Sequence, residues 1–159
     1  MPSTRCPPEA GAASALRLAV PNEPAAVEAA RLAVHAHLAQ LGEQALPPAL
    51  IYRLELILEE TLMNRLWHAW PDGGTHHTEL TLALCADALW LRFEDDGLAF
   101  DPLQAAPHLP AASLAEAQPG GLGLLLTRKA ATSCCYERVG IEPGGINRLT
   151  LTLARTPQG

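Results

Sequence analysis

The chain has 159 residues, of which 48% are hydrophobic and 18% charged, and its formal net charge is -6. This length and apolar content suit one globular domain with a buried core and leave little room for a second. A nucleic-acid surface needs clustered cations, whereas this sequence has a single lysine and scattered arginines. Direct nucleic-acid binding is therefore not expected.

The four cysteines stand at positions 6, 85, 134 and 135, without the C-x-x-C spacing of zinc sites or redox motifs. We expect them to be small buried hydrophobes in a reducing compartment. The N-terminus lacks the apolar segment of a signal peptide, and no apolar run reaches the length of a membrane span. These features predict a soluble, cytoplasmic protein with no membrane partner.

The first half of the chain predicts a tail, a strand and two helices. Residues 1–14 are rich in Pro, Ala, Gly and Ser and are expected to be disordered. An alternating run over 15–20 predicts the strand. High helix propensity with apolar positions at helical spacing predicts helices over 23–41 and from 47 to about 70, each followed by glycine.

The second half predicts four strands, one helix and a long loop. Period-two alternation, interrupted by short turns, indicates a hairpin and a second strand pair. Four prolines and three glycines between 96 and 121 indicate a long loop, of the kind that is often functional. The predicted strands are 78–84, 88–94, 134–139 and 147–155, and the predicted helix is 122–132.

This order of elements predicts an α/β (α+β) two-layer sandwich. Consecutive strands can pair antiparallel, so we expect a mixed, mostly antiparallel sheet covered on one face by about three helices. The predicted domain spans 15–156.

The second helix carries two rows of residues that face nearly opposite directions. Leu54, Leu58, Leu62 and Leu66 recur every four residues, and so do Glu60, Asn64 and His68. The polar row could be an ordinary solvated stripe. It could also form a site, since an amide oxygen suits Mg²⁺ and a carboxylate one turn away can accept a proton.

Two further stretches contain chemistry-bearing patterns. At the end of the hairpin, Asp95-Asp96-Gly97 could accept a hydrogen bond from an exocyclic amine beside a close-approaching backbone, or could be a simple turn. The glycine-rich string 118–124 before the third helix could cradle phosphates, or could be a hinge. It matches neither the Walker pattern nor the dinucleotide G-x-G-x-x-G.

In this order and spacing, the three patterns resemble those of GHKL (Bergerat-fold) ATPases, and specifically the small anti-sigma-factor serine/threonine kinases of bacterial partner-switching systems. The helix motif E-x-x-x-N-x-x-x-H-A-(aromatic) matches Glu60 to Trp70. The D-x-G-x-x-F-D-P string matches Asp95 to Pro102, and G-G-L-G-L matches Gly120 to Leu124. The resemblance extends from Leu16 to Arg155.

The resemblance implies a role for each matching residue. Glu60 looks like the general base, Asn64 like the Mg²⁺ ligand and Asp95 like the adenine-reading carboxylate. Residues 98–119 look like a lid over ATP. The other residues that the resemblance places against the nucleotide are Gly97, Gly120, Gly121, Gly123, Leu124 and Thr150.

The implied function is that of an anti-sigma factor that uses ATP and Mg²⁺ to phosphorylate a Ser or Thr of an anti-anti-sigma antagonist protein. A sigma factor and that antagonist are the implied partners, and a homodimer is the implied assembly. The sequence departs from the family pattern at Arg65, where a small residue is usual, and at Leu98-Ala99, where Gly or Pro is common.

Two other functions stay open at this point. The same fold could bind ATP and sequester a partner with little or no kinase activity, which crowding by Arg65 would favour. An acidic structural domain that binds no nucleotide is the third hypothesis. The histidines at 35, 37, 76, 77 and 108 show no coherent metal spacing, and His68 is expected to be a structural residue at a helix end.

Overall fold

A computed structural model describes residues 15–41, 46–104, 121–141 and 143–156. Within these ranges the chain forms five strands and three helices in the predicted order. Each boundary lies within a few residues of its prediction. The elements are β1 (Leu16–Pro21), α1 (Pro24–Gln40), α2 (Pro48–His68), β2 (His77–Leu84), β3 (Ala88–Asp95), α3 (Gly121–Ala130), β4 (Ser133–Val139) and β5 (Ile146–Ala154).

The strands form one sheet in the order β1-β2-β3-β5-β4. Every strand pairing in the described part of the chain is antiparallel. The predicted two-layer α/β class is therefore confirmed, and its sheet is antiparallel rather than mixed within these residues. The chain crosses from β3 through α3 to the edge strand β4, and β5 then returns between β3 and β4, so the end of β3 lies beside the start of β5.

The apolar face of the sheet follows from the alternation of the strands. Phe93 of β3 lies between Leu80 of β2 and Leu149 of β5, and all three side chains are buried. Because side chains alternate between faces with period two, Leu91 and Leu151 continue the same apolar layer. This layer is the floor of the hydrophobic core.

The helices cover that face. Leu54, Leu58 and Leu62 of α2 are buried, as the predicted leucine row requires, whereas Leu66 is only half-buried near the helix end. Val34 of α1 joins the same core cluster. With its leucines in the core, α2 has its polar row on another face, where Glu60 lies against the start of α3.

Some predictions fall differently or lie outside the described residues. Cys85, Cys134 and Cys135 form no disulfide within the described residues and are half-buried rather than buried, and Cys6 lies in the undescribed stretch. The predicted tail over 1–14 and most of the predicted lid, 105–119, are also outside the described residues. Among the helices that the structure describes, none has the length and apolarity to cross a membrane.

Candidate functional site

The polar row of α2 is not a uniformly solvated stripe. Glu60 and Asn64 are half-buried, one turn apart, whereas His68 is exposed in the last turn of the helix. An exposed histidine at a helix C-terminus can interact favourably with the helix dipole. His68 therefore fits the predicted structural role, and the two half-buried residues remain candidates for chemistry.

The start of α3 lies against Glu60. A Cβ atom added to Gly123 would fall 1.9 Å from Glu60 Oε2, so glycine is the residue that leaves space for this carboxylate. Gly121 is the first residue of α3, Leu124 is half-buried in its first turn, and Gly120 lies outside the described residues. The helix motif that contains Glu60 and the glycine-rich motif that contains Gly123 are about 60 residues apart in the sequence, yet they are in contact in the fold.

The surroundings of Glu60 favour its protonated form. Partial burial is the main cause that raises the pKa of this carboxyl group, and the charge of neighbouring Glu59 raises it further. A carboxylate with a raised pKa is a stronger proton acceptor than one on an open surface. This environment is what a general base requires.

Asp95 lies at the end of β3, and only 4% of its surface is exposed. Its Oδ1 accepts hydrogen bonds from the backbone N–H of Gly97 at 3.0 Å and from Nδ2 of Asn147 at 3.0 Å. A buried carboxylate is stable only with such partners. These bonds hold Asp95 in a fixed orientation beside α2.

Gly97 permits the close approach of this turn to the end of α2. A Cβ at Gly97 would lie 2.7 Å from both the Cβ and the backbone oxygen of Ala69. The next residue, Leu98, donates its N–H to the same Ala69 oxygen at 2.9 Å, which satisfies a carbonyl at the helix C-terminus. The glycine therefore joins β3 to α2 by backbone contact.

Arg65 is the main departure of the site from the expected pattern. Its Nε lies 2.7 Å from Asp95 Oδ2, and the two side chains are 12% and 2% exposed. The N–H of Nε is not aligned as a hydrogen bond among the described residues, so the contact is an ion pair. Burial lowers the pKa of Arg65 while Asp95 opposes that effect, and an arginine stays charged inside proteins.

Asn147 is the site residue that the sequence-based prediction omitted. Besides Asp95, its Nδ2 donates to the oxygen of Leu98 at 2.8 Å. Its Oδ1 accepts from the hydroxyl of Tyr136 at 2.6 Å and from the N–H of Phe100 at 3.3 Å. One buried amide thus fixes the chain from β3 into the first described residues of the predicted lid.

A signal for Asn147 was present in the sequence. Residues 147, 149, 151 and 153 alternate along the last strand, and the last three are leucines that face the core. An asparagine at the first position of such a row must lie on the core face, where a polar group needs partners.

Thr150 is a predicted site residue that does not lie beside Asp95. It pairs with Arg92 of β3, one position away from the pair formed by Leu149 and Phe93. Because alternate residues face opposite sides of a sheet, Thr150 faces away from the side that carries Asp95 and the helices. Asn147, three residues earlier, takes the position beside Asp95.

The chemistry of these residues fits Mg²⁺ and a nucleotide. Among the described residues, no group of three or more His, Cys, Asp or Glu side chains could hold a metal ion by itself. Mg²⁺ in nucleotide sites commonly takes one or two protein oxygens and completes its shell with water and phosphate. Asn64 offers one such oxygen, and the space that Gly123 leaves lies one turn away at Glu60.

The comparison with protein families gives the class. The family described as "Histidine kinase-like ATPase domain" matches residues 20–153 of this chain. The chain belongs to that family, which confirms the resemblance to GHKL ATPases, and an ATPase domain of this kind implies ATP binding.

Two individual proteins show how similar the chain is to known members. It is 38% identical over 107 residues to "Serine/threonine-protein kinase BtrW" of Bordetella bronchiseptica, which covers 67% of this chain and 72% of the relative. A histidine kinase domain from the Erythrobacter litoralis EL346 blue-light activated histidine kinase has a TM-score of 0.46 and 18% identity. That match covers 80% of this chain, which spans 59% of the solved structure.

Proposed function

We propose that this protein is an ATP-dependent serine/threonine protein kinase that binds a sigma factor and phosphorylates an anti-anti-sigma antagonist. The contact between Gly123 and Glu60 is the observation that best supports it, because it brings the glycine-rich helix start to the candidate base. The similarity to a relative named as a serine/threonine kinase supports the same class of reaction.

In the proposed reaction, a Ser or Thr hydroxyl of the substrate protein attacks the γ-phosphorus of ATP. Glu60 accepts the hydroxyl proton as the new O–P bond forms and the bond to the β,γ-bridging oxygen breaks. The raised pKa of Glu60 suits this role. Asn64 would hold Mg²⁺, which when bound neutralises charge on the phosphates.

The base of ATP would lie against Asp95. Its Oδ1 is occupied by Gly97 and Asn147, so Oδ2 is the oxygen that could accept a hydrogen bond from the exocyclic amine of adenine. Because Gly97 has no side chain, a planar base could approach the backbone closely at this position. Gly121, Gly123 and Leu124 would line the phosphate end, with Gly120 just before them.

The proposed partners follow from the resemblance to partner-switching kinases. We propose that a sigma factor binds the chain as its regulatory target, that the antagonist is the phosphorylated substrate, and that the chain acts as a cytoplasmic homodimer. The ATP-binding domain is proposed to span 15–156.

Labelling with radioactive ATP tests the proposal. With the cognate antagonist present, Glu60→Gln should lose at least about 100-fold in labelling rate, in line with the usual contribution of a general base. It should bind Mg-ATP as tightly as the parent, because Glu60 does not contact the base. Glu79→Gln is the matched control, since Glu79 is an exposed glutamate on β2 and has no contact with Glu60 among the described residues. Equal labelling by Glu60→Gln and the parent would disprove the proposed base.

A second candidate is an ATP-binding regulator that sequesters its partner with little or no phosphoryl transfer. Arg65 favours it, because this buried cation directly follows Asn64 and would crowd the position of Mg²⁺ and the phosphates without blocking Asp95 Oδ2. This candidate predicts Mg-ATP binding by calorimetry together with no labelled antagonist. Labelling that depends on Glu60 would eliminate it.

A further inference from the structure

The ion pair between Arg65 and Asp95 has no part in the proposed phosphoryl transfer, yet it lies within the site. Arg65 follows Asn64 directly on α2, and its Nε is 2.7 Å from Asp95 Oδ2. Both side chains are largely removed from solvent, at 12% and 2% exposure. A charged pair placed beside a ligand site changes which ligand groups that site can accept.

The two oxygens of Asp95 are in different situations. Oδ1 receives two hydrogen bonds, from Gly97 and Asn147, each at 3.0 Å. A carboxylate oxygen offers about two lone-pair positions, so Oδ1 has no capacity left for a ligand. Oδ2 lies 2.7 Å from Arg65 Nε, so this contact takes one of its two lone-pair positions and leaves the other for a ligand.

The guanidinium group of Arg65 also keeps donor capacity. Its Nη1 donates to the backbone oxygen of Thr61 at 3.3 Å, and its central carbon lies 5.5 Å from the centre of the Phe93 ring. A guanidinium has five N–H donors, and among the described residues they are engaged only by the Nε contact with Asp95 and the Nη1 bond to Thr61, so N–H groups of the terminal nitrogens remain for a ligand. A donor and an acceptor, Arg65 and Asp95, thus stand side by side.

That combination differs chemically from a carboxylate alone. An unaccompanied carboxylate accepts a hydrogen bond from the 6-amino group of adenine and repels the carbonyl oxygen of a 6-oxopurine. A paired donor and acceptor suits both bases. Adenine presents an amine beside its N1 acceptor, and a 6-oxopurine presents its oxygen beside an N1–H donor.

We propose that Arg65 widens the base selectivity of this site, so that the protein binds 6-oxopurine nucleoside triphosphates as well as ATP. With a 6-oxopurine, Arg65 donates to the oxygen at position 6 and Asp95 Oδ2 accepts from N1–H. The inference rests on the proposed function, in which Asp95 reads the base.

Calorimetric titration of the chain with Mg-ATP and with Mg-ITP tests it, because inosine differs from adenosine only at the edge that carries position 6. In the parent, the Kd for Mg-ITP should lie within about tenfold of that for Mg-ATP, a difference of about 1.4 kcal/mol. In Arg65→Ala the ratio of the two constants should rise by at least about tenfold, the effect of losing one charged hydrogen bond.

The ratio is measured within each variant, so a general loss of stability cancels from it. Arg65→Lys keeps a cationic donor and should retain Mg-ITP binding. Arg53→Ala is the matched control, since Arg53 lies on the same helix but donates to the oxygen of Ala130, and its ratio should equal that of the parent.

A parent that rejects Mg-ITP as strongly as Arg65→Ala does, while binding Mg-ATP, would overturn this inference and leave the proposed function intact. A parent that binds neither nucleotide would overturn both. An unchanged ratio in Arg65→Ala would show that Arg65 does not take part in base recognition.

Discussion

At the scale of single residues, Glu60 of α2 and Asp95 of β3 are two carboxyl groups of the site in different environments. Glu60 is half-buried beside another acidic residue, so its protonated form is favoured. Asp95 is buried, and its two oxygens are held by two hydrogen bonds and by the guanidinium of Arg65. The first arrangement suits proton transfer, and the second suits fixed recognition.

The raised pKa of Glu60 gives a prediction for the pH dependence of the proposed kinase. Because the base acts when unprotonated, the labelling rate should fall as the pH decreases, with a midpoint above the ordinary value of 4.5. Single-turnover labelling from pH 4 to 8 would measure it. An acid limb at or below the ordinary value would contradict the prediction.

The same shift has a consequence for stability, with the opposite sign to that of a salt-bridged carboxylate. A carboxyl group whose pKa is raised on folding stabilises the fold below its unfolded pKa, and this contribution is lost as the pH rises through the folded value. Glu60→Gln should therefore be at least as stable as the parent at neutral pH. If the melting temperature of Glu60→Gln is equal to or higher than that of the parent, a loss of labelling in that variant reflects lost chemistry and not unfolding.

At the scale of elements, the contact between α2 and α3 decides the geometry of the site. The first turn of α3 can approach Glu60 only because Gly123 has no side chain. At the C-terminal end of α2, the backbone N–H of Leu98 donates to the oxygen of Ala69, and this bond connects α2 to the turn after β3. There Nε1 of Trp70 also donates to Asp96 at 2.9 Å, and the Trp70 ring stacks on His76 at 5.0 Å.

Gly123→Ala should separate activity from stability. The new methyl group would meet the flexible end of Glu60, which can move away, and alanine is about 1 kcal/mol better than glycine within a helix. We expect an unchanged or higher melting temperature together with at least about tenfold slower labelling, since Glu60 is displaced. Thermal denaturation and the labelling assay measure the two effects.

Gly144→Ala is the control for that variant, because its new Cβ would lie 3.7 Å from the oxygen of Ile141, an ordinary contact. It should change labelling by less than about twofold, as expected of surface substitutions. A Gly123→Ala protein that labels the antagonist at the parent rate would show that the position of Glu60 does not matter.

At the scale of the whole molecule, the site joins α2, α3 and the ends of β3 and β5, so a bound nucleotide should stabilise the entire fold. A ligand at 100 times its Kd adds about 2.7 kcal/mol to the free energy of unfolding. For a chain of this size, that corresponds to a rise in melting temperature of roughly 5–11 °C.

Thermal denaturation with Mg-ATP, with ATP plus EDTA and with Mg²⁺ alone measures this effect and its metal dependence. We expect the full shift only with Mg-ATP, a smaller shift after EDTA removes the metal, and none with Mg²⁺ alone. No shift with saturating Mg-ATP would contradict nucleotide binding, and an equal shift with EDTA would exclude a role for the metal.

Periodicity in the sequence accounts for the elements. Alternating apolar residues gave β2, β3 and β5 to within a residue or two, and the four-residue row from Leu54 placed one face of α2 in the core. These patterns are local, since each strand or helix buries the face on which its own apolar residues recur. Short motifs in the sequence also singled out Glu60, Asn64 and Asp95, whose roles stay predictions.

The sequence by itself determined the order of the elements, the two-layer class and the motif residues, because propensity and periodicity act between near neighbours. Only the tertiary structure decided which side chains share the site. β5 pairs with β3 in a register that places Asn147, rather than Thr150, next to Asp95. The tertiary structure also showed that Arg65 pairs with Asp95. These residues are 30 positions apart, and no local pattern specifies their contact, because it depends on how α2 packs over the sheet.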